Sequence, residues 1–241
     1  MKLLQLALFP LAAVGSLTAG AQSPALSYVP LRVIQNEPAT FPLEAPALGL
    51  TQGEARVAIE VDATGRLTDS LALSYSHPLF AEASLAAVRH WRFAPARLHG
   101  QPRSATAELK FAYSANGTVL DFSDLNDWVA AEFLRLNPGS SAFSACLPRD
   151  LDRIPTPTKI VRPDYPAQIE QLSHGGHVTV EFYIDQTGRV RMPSASSETN
   201  EVLAALAIRA VEQWRFEPPV ARGRPALVQI RQDFNFKPGA P

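Results

Sequence analysis

The sequence predicts an α+β protein built from two copies of one two-layer unit, each a three-stranded antiparallel sheet packed by helices. The first observation behind this prediction is an internal repeat, because Gly65–Arg66 recurs 123 residues later as Gly188–Arg189. Trp91–Phe93 recurs at the same spacing as Trp214–Phe216. The second observation is that both copies, here copy one and copy two, show the same order of strand, turn, short strand, helix and last strand. We therefore infer an internal duplication.

Each copy begins with a strand that runs into an Asp-x-Thr-Gly turn. In copy two the alternation of apolar residues from Val178 to Ile184 predicts a half-buried strand. In the turns at 62–65 and 185–188, the Asp can accept hydrogen bonds from its own backbone and the Gly can take a positive φ. Both turns therefore predict hairpins. Aspartic proteases differ, because their paired Asp must stand directly before Thr-Gly.

An amphipathic helix and a last strand complete each copy. The stripe from Leu203 to Trp214 follows helical spacing, and Pro78 suits the first turn of the corresponding helix in copy one. Because Trp91 and Trp214 end these stripes, we expect both to be core residues. The last strand alternates again, from Val228 to Phe236 in copy two.

The chain also shows boundaries between its parts. Lys2, a short apolar run and Ala19-Gly20-Ala21 are typical of a cleaved signal peptide at 1–21, with an uncleaved inner-membrane anchor as the alternative. The two units then span 22–113 and 154–237. The linker, 114–153, is expected to contain one amphipathic helix between Leu125 and Leu136, and the Ser- and Pro-rich stretch from Ser140 to Thr158 is predicted to be a flexible connector.

Composition and motifs argue against several function classes. With 22 basic and 23 acidic residues there is no basic excess for nucleic acid. No nucleophile elbow, Walker loop or dinucleotide fingerprint is present. His174 and His177 lack a third metal ligand nearby. We therefore expect no enzyme, catalytic residue, cofactor or metal, and no membrane span once the signal is cleaved.

Copy two contains Tyr165-Pro166, Gly176, the hairpin from Asp185 to Val190, the Trp214–Pro218 stretch and Gly223-Arg224-Pro225. In this combination of motifs it resembles the TonB C-terminal domain family. Copy one matches the same family pattern from Gly53 to Phe111 and is degenerate at its start.

The resemblance implies a protein-binding module in the periplasm. Domains of this family pair with TonB-box peptides of outer-membrane receptors, so the implied mechanism is addition of a peptide strand to an open sheet edge. The residues implied are the last strand of copy two and a nearby segment: Gln229, Ile230, Arg231, Gln232, Asp233, Phe234, Arg162, Tyr165 and Gln168. Under this hypothesis, proline at Ile230 should abolish binding by removing a ladder donor.

Two alternatives remain open at the level of sequence. The chain lacks the anchor pattern and long Pro-rich spacer of TonB itself, so the resemblance favours the binding end of the family over its motor end. A structural envelope protein whose sheet edges mediate self-association, as in a homodimer, is the second hypothesis. A hydrolase using Asp62 and Asp185 is the third and least favoured.

Overall fold

The computed structural model describes residues 28–115, 117–121, 142–164, 176–195 and 200–236. The predicted signal peptide and the predicted linker helix lie outside these ranges. Within them, mostly antiparallel strands and two α-helices form an α+β fold.

Copy one is described as ten strands and one helix, counting a short strand from the connector. They are β1 (Tyr28–Val29), β2 (Arg32–Gln35), β3 (Gln52–Val61), β4 (Leu67–Tyr75), α1 (Pro78–Val88), β5 (Arg92–Ala94), β6 (Ala96–Leu98), β7 (Gln101–Arg103), β8 (Ala105–Ser114), β9 (Gly117–Asp121) and β10 (Phe143–Ser144).

Copy two contains the same main elements as copy one and fewer short strands. They are β11 (Pro157–Lys159), β12 (Gly176–Ile184), β13 (Val190–Ala195), α2 (Glu201–Glu212), β14 (Arg215–Phe216), β15 (Val220–Ala221), β16 (Arg224–Pro225) and β17 (Val228–Phe236).

The two main sheets differ in size. The sheet of copy two has the strand order β13-β12-β17, whereas that of copy one has the order β10-β4-β3-β8-β9. The prediction of three strands per copy is therefore wrong for copy one, which gains β9 beside β8 and β10 beside β4. Both added strands come from the region that the sequence assigned to the linker.

One helix packs on one face of each main sheet. In copy one the helix buries Phe80 and Val88 against the strand residues Val57 and Ile59. In copy two Leu203 takes the position of Phe80 and packs with Val178, Val180 and Phe182. Each large apolar side chain buried in this way contributes about 1.5–3 kcal/mol to folding.

The paired tryptophans are core residues, as the sequence predicts. Trp91 is 6% exposed and Trp214 is 8% exposed. Each ring nitrogen donates to a backbone carbonyl near the start of its own copy, from Trp91 to Glu37 at 2.9 Å and from Trp214 to Val161 at 2.7 Å. Because these bonds join the end of each helix to the incoming chain, they fix the start of each copy against its core.

The segment predicted to be a flexible connector is instead held by both copies, since Phe143–Ser144 pairs with β4 of copy one and the chain from Cys146 onward bonds to copy two. Asp152 accepts hydrogen bonds from the backbone N–H groups of Arg222 and Gly223, at 2.7 and 2.8 Å. Strand β11 then pairs with β14. Serine and proline content therefore misled the prediction, because tertiary hydrogen bonds hold this segment in place.

The two copies are in direct contact through the sheet faces opposite their helices. Ala58 and Leu73 of copy one form a buried cluster with Met192 and Leu227 of copy two. Beside it, Arg191 donates to the carboxylate of Asp69, with Nε and Oδ2 2.9 Å apart. An apolar contact flanked by a charged pair thus joins the copies.

Candidate partner-binding strand edge

Strand β17 lies at the edge of the sheet of copy two and pairs along its whole length with β12. Backbone groups in a strand alternate between the two sides, so only every second residue can face away from β12. The Gln229 N–H donates outward to the carbonyl of Cys146 at 3.0 Å, which fixes the phase of this alternation. Arg231 and Asp233 therefore also direct their backbone N–H and C=O groups outward, while Ile230 and Gln232 direct theirs toward β12.

The start of this edge is closed by the chain itself. The Cys146 N–H donates to the carbonyl of Leu227 at 2.9 Å, and its carbonyl accepts from Gln229, which together form a parallel bridge to Val228. We call residues 143–146 the clasp, because the same segment pairs with β4 of copy one. Among the described residues, no other segment pairs with the outer side of β17 between Ile230 and Asn235, and this stretch is the open edge.

The thiol of Cys146 takes no part in this pairing. Burial, and next the nearby carboxylate of Asp150, raise its pKa. A protonated, half-buried thiol is a poor nucleophile, in agreement with a structural role for this residue.

The residues predicted from the resemblance fall into three groups. Gln229, Arg231 and Asp233 present backbone groups to the outer side, although the Gln229 N–H is already used by the clasp. Ile230, Gln232 and Phe234 present theirs to β12 and contribute side chains only. Arg162 is exposed and follows Val161, which binds Trp214, whereas Tyr165 and Gln168 lie outside the described residues.

The direction in which each backbone N–H of β17 points changes the expectation for proline at Ile230. Proline at Ile230 would remove an N–H that bonds to β12, opposite Phe182, and would break the sheet itself. The residue whose N–H can be removed without that damage is Arg231, because edge strands tolerate proline where the N–H faces outward.

Two different side-chain surfaces flank the open edge. On the side that faces away from α2, Arg231 pairs with Glu181 at 2.9 Å, and this hydrogen bond raises the pKa of the guanidinium. Asp233 accepts from the Thr179 hydroxyl at 2.6 Å and lies 3.5 Å from His177. This surface is therefore polar and carries a charge of each sign.

On the helix side the surface is apolar apart from Gln232. Ile230, Phe234 and Phe236 are half-buried and extend the core that contains Trp214. The ring centroids of Trp214 and Phe234 are 5.8 Å apart, and those of Phe234 and Phe236 are 6.5 Å apart. A strand added here would find apolar neighbours on one face and polar neighbours on the other.

Comparison with known families identifies both copies. The family described as Gram-negative bacterial TonB protein C-terminal matches residues 37–115 and again residues 161–238. Together these segments cover more than half of the chain and contain the helix and the three central strands of each copy. This chain belongs to the TonB C-terminal family.

A curated relative agrees with the family. The protein named Protein TonB, from Vibrio cholerae serotype O1, is 31% identical over 78 residues, which is 32% of this chain and 32% of that protein. The match thus spans about a third of the relative's length. Within the described residues of the present TonB-family chain, no helix has the length and hydropathy needed to cross a membrane.

The second sheet edge of the TonB-like copy two is protected. Pro193 lies within β13 and has no N–H to offer a partner. Met192 has a φ of 49°, and the pairing with β12 shifts register in the same region, as in a bulge. Arg191 is tied across to copy one. A bulge and a proline together make this edge a poor template for another strand.

In the TonB-like copy one, β8 and β4, which correspond to the outer strands β17 and β13 of copy two, have further strands beside them. Strand β9 pairs with β8 from Lys110 to Ser114, and the clasp pairs with β4 at Ser74 and Tyr75. The stretch of β8 from Lys110 to Ser114 is therefore covered, and the offset of 123 residues places its start at Asp233 of β17.

The two Asp-x-Thr-Gly turns are hairpin turns, as predicted. The Asp62 carboxylate accepts from the Thr64 amide at 2.8 Å and from the Arg66 amide at 3.0 Å. Hydrogen bonds, led by that of the Thr64 hydroxyl, lower the pKa of Asp62. For Asp185, burial opposes ionisation, but the corresponding hydrogen bonds outweigh it and lower its pKa too. Each carboxylate is thus engaged by its own turn.

Sequence reasoning missed the clasp and β9, which decide which edge is open. Asn116-Gly117 is a strong hairpin signal after an alternating strand and could have revealed β9. The clasp had no comparable signal, because its four residues pair with strands that are distant in the sequence.

Proposed function

We propose that copy two binds an extended segment of an envelope protein by taking it up as an added strand beside β17. The partner class is the TonB-box-like peptide of an outer-membrane receptor, in association with TonB-dependent transport. The setting is the periplasm, to which the predicted signal peptide would direct the chain. The role is one of binding without catalysis.

The observation that carries this proposal is the contrast between β17 and the other outer strands. Residues Arg231 and Asp233 direct backbone groups away from the sheet beside a half-buried apolar surface. In contrast, β8 is paired from Lys110 to Ser114, β4 is paired at Ser74 and Tyr75, and β13 is interrupted by Pro193. Unpaired backbone groups at an edge are the template that strand addition uses.

The geometry allows a short partner segment. Beyond the clasp, β17 offers the six residues from Ile230 to Asn235, or about 20 Å of strand at ~3.3 Å per residue. The Gln232 side chain donates to the Asp233 carbonyl at 2.9 Å, so it covers part of this edge in the free protein. Each new ladder hydrogen bond contributes about 0.5–1.5 kcal/mol net, so a few bonds and some apolar contact give moderate affinity.

The direct test is a titration of the isotopically labelled chain with synthetic peptides covering receptor N-terminal segments. We expect amide exchange at Arg231 and Asp233 to slow when peptide is added, because these groups become ladder partners. Amides of α1 serve as the internal control and should not change. Protection that appears only at other sites would exclude strand addition at β17.

A second candidate function, self-association, is favoured by one feature of the same edge. Two copies of β17 can pair antiparallel with Arg231 of each chain opposite Asp233 of the other, which places opposite charges side by side. Sedimentation velocity over a concentration series separates the two functions. A dimer that Asp233→Arg dissociates, in a chain that binds no receptor peptide, would favour self-association.

A further inference from the structure

Both copies contain the same tight turn between two short strands. In copy one the turn joins β6 to β7 through His99 and Gly100, and in copy two it joins β15 to β16 through Arg222 and Gly223. The φ values are 50° and 78° in the first turn and 53° and 72° in the second. A positive φ at both central residues is typical of a type I′ turn. The two turns therefore have the same backbone shape.

In copy two this turn binds a carboxylate of the chain itself. The Arg222 and Gly223 N–H groups donate to the Oδ1 and Oδ2 atoms of Asp152, at 2.7 and 2.8 Å. Asp152 is held in position because its own N–H donates to the Val220 carbonyl at 2.9 Å. Successive N–H groups in a turn form a concave binding site for an anion. The β15–β16 turn is thus a site for one carboxylate group.

In copy one Val29 stands at the position of Asp152. Val29 lies opposite Arg97 in the pairing of β1 with β6, and the repeat offset of 123 residues relates this pair to the Asp152 pair of copy two. The Val29 side chain has no hydrogen-bond acceptor. Among the residues that the structure describes, none accepts a hydrogen bond from the N–H of His99 or Gly100. The β6–β7 turn therefore has the same two donors, and copy one does not supply the carboxylate.

The charge beside the turn also differs between the copies. The change from Asp152 to Val29 removes a negative charge. Where copy two has Val220, copy one has Arg97, which is exposed and donates from its guanidinium to the Gly100 carbonyl at 2.9 Å. Copy one thus combines two backbone donors with a cation at the place where copy two has its own carboxylate.

We propose that the β6–β7 turn of copy one binds an acidic side chain of a partner protein, through the N–H groups of His99 and Gly100 and the guanidinium of Arg97. This inference goes beyond the function proposed above, because it gives copy one a contact of its own that does not depend on β17. Hydrogen bonds to an ionised acceptor are roughly twice as strong as those between neutral groups. An aspartate side chain is the expected ligand, since the same turn of copy two binds one.

The surroundings of the turn favour an acidic residue that has an apolar neighbour. Tyr28 and Val29 form β1 at the edge of the small sheet and are 47% and 39% exposed. Tyr28 lies opposite Leu98, the residue before the turn. A partner whose acidic side chain is bound at the turn therefore brings its adjacent residues close to these two exposed side chains.

Two small blocked amino acids test the site in the isotopically labelled chain. N-acetyl-aspartate amide carries the carboxylate, and N-acetyl-asparagine amide is the neutral analogue of the same shape. At constant ionic strength we expect the first to shift the amide resonances of His99 and Gly100 to saturation and the second to leave them unchanged. The Arg222 and Gly223 amides are the internal control and should not respond, because they already donate to Asp152.

Substitutions should exchange the properties of the two turns. Val29→Asp places a carboxylate at the position of Asp152 and should abolish the response of the β6–β7 turn; because Val29 is outside the hydrophobic cores, this change leaves them intact. Gln186→Asp, in the exposed hairpin turn of copy two, adds the same charge and should preserve the response. Asp152→Val should give the β15–β16 turn a response that it lacks in the unmodified chain.

The outcomes separate this inference from the proposed function. Equal shifts with the acid and the amide, or the same shifts with chloride, would overturn the selectivity for a carboxylate. A response that persists in Val29→Asp would show that the ligand does not use these two N–H groups, and a response lost in Gln186→Asp would show a general effect of charge. Failure of receptor peptides to bind at β17 would overturn the proposed function and leave this site unaffected.

Discussion

The alternation of backbone groups along β17 leads to a sharp prediction about proline. At Ile230 a proline removes an N–H that faces β12 and leaves the buried Phe182 backbone without its partner, at a cost of about 1–3 kcal/mol. At Arg231 it removes an outward N–H and a surface ion pair with Glu181, at a cost of about 0–1 kcal/mol. We therefore expect Ile230→Pro to be the less stable variant by about 2 kcal/mol.

Thermal unfolding measures this difference. For a unit of this size, each kcal/mol shifts Tm by about 4–8 °C, so the two proline variants should differ by roughly 10 °C. Arg231→Ala is the matched control, because it loses the same side chain and keeps the N–H. Arg231→Pro should then bind receptor peptide about two- to ten-fold more weakly than Arg231→Ala, since one ladder bond contributes about 0.5–1.5 kcal/mol.

Two results would refute this reasoning. Equal destabilisation by the two prolines would mean that the Arg231 N–H is not on the outer side of the sheet. Equal peptide affinity of Arg231→Pro and Arg231→Ala would mean that the partner does not use this backbone group.

Two further predictions concern stability. Gly188 and Gly223 both have positive φ values, 82° and 72°, but a Cβ on Gly188 would overlap the Phe216 carbonyl oxygen whereas one on Gly223 would meet open space. Urea unfolding should therefore show that Gly188→Ala is less stable than Gly223→Ala by about 1–3 kcal/mol. Equal losses of stability would contradict the overlap. Glu60 lines a groove of about 670 Å³ between the copies, and burial, followed by repulsion from Asp69, raises the pKa of its carboxyl group. A carboxyl group with a raised pKa destabilises the folded state once it is ionised, so Glu60→Gln should raise Tm at pH 7 and not near pH 4. An equal gain in Tm at both pH values would contradict this prediction.

Much of the fold was predictable because duplication repeats each signal. The tryptophan stripes and the Asp-x-Thr-Gly turns depend on local periodicity and turn chemistry, so a single sequence is enough to predict them. The five-stranded sheet of copy one was not predicted, since the strand after the Asn116-Gly117 turn falls in the region assigned to the linker. The clasp depends on contacts between distant strands, and such contacts leave little trace in local sequence.

The candidate site was predictable only in part. Alternation of side chains from Val228 to Phe236 indicates which residues share a face, but it does not indicate which backbone groups face the neighbouring strand. That phase became clear from the bond between the Gln229 N–H and Cys146. For this reason Ile230 was the wrong position for the proline test, and Arg231 is the right one.

Amide hydrogen exchange in the free protein tests the central claim most directly, namely that one copy has an open edge strand and the other a covered one. The informative amides are those of Arg231 and Asp233 in β17 and those of Lys110 and Ala112, which face β9. The account predicts rapid exchange at Arg231 and Asp233 and strong protection at Lys110 and Ala112. Equal protection of the two pairs would contradict it.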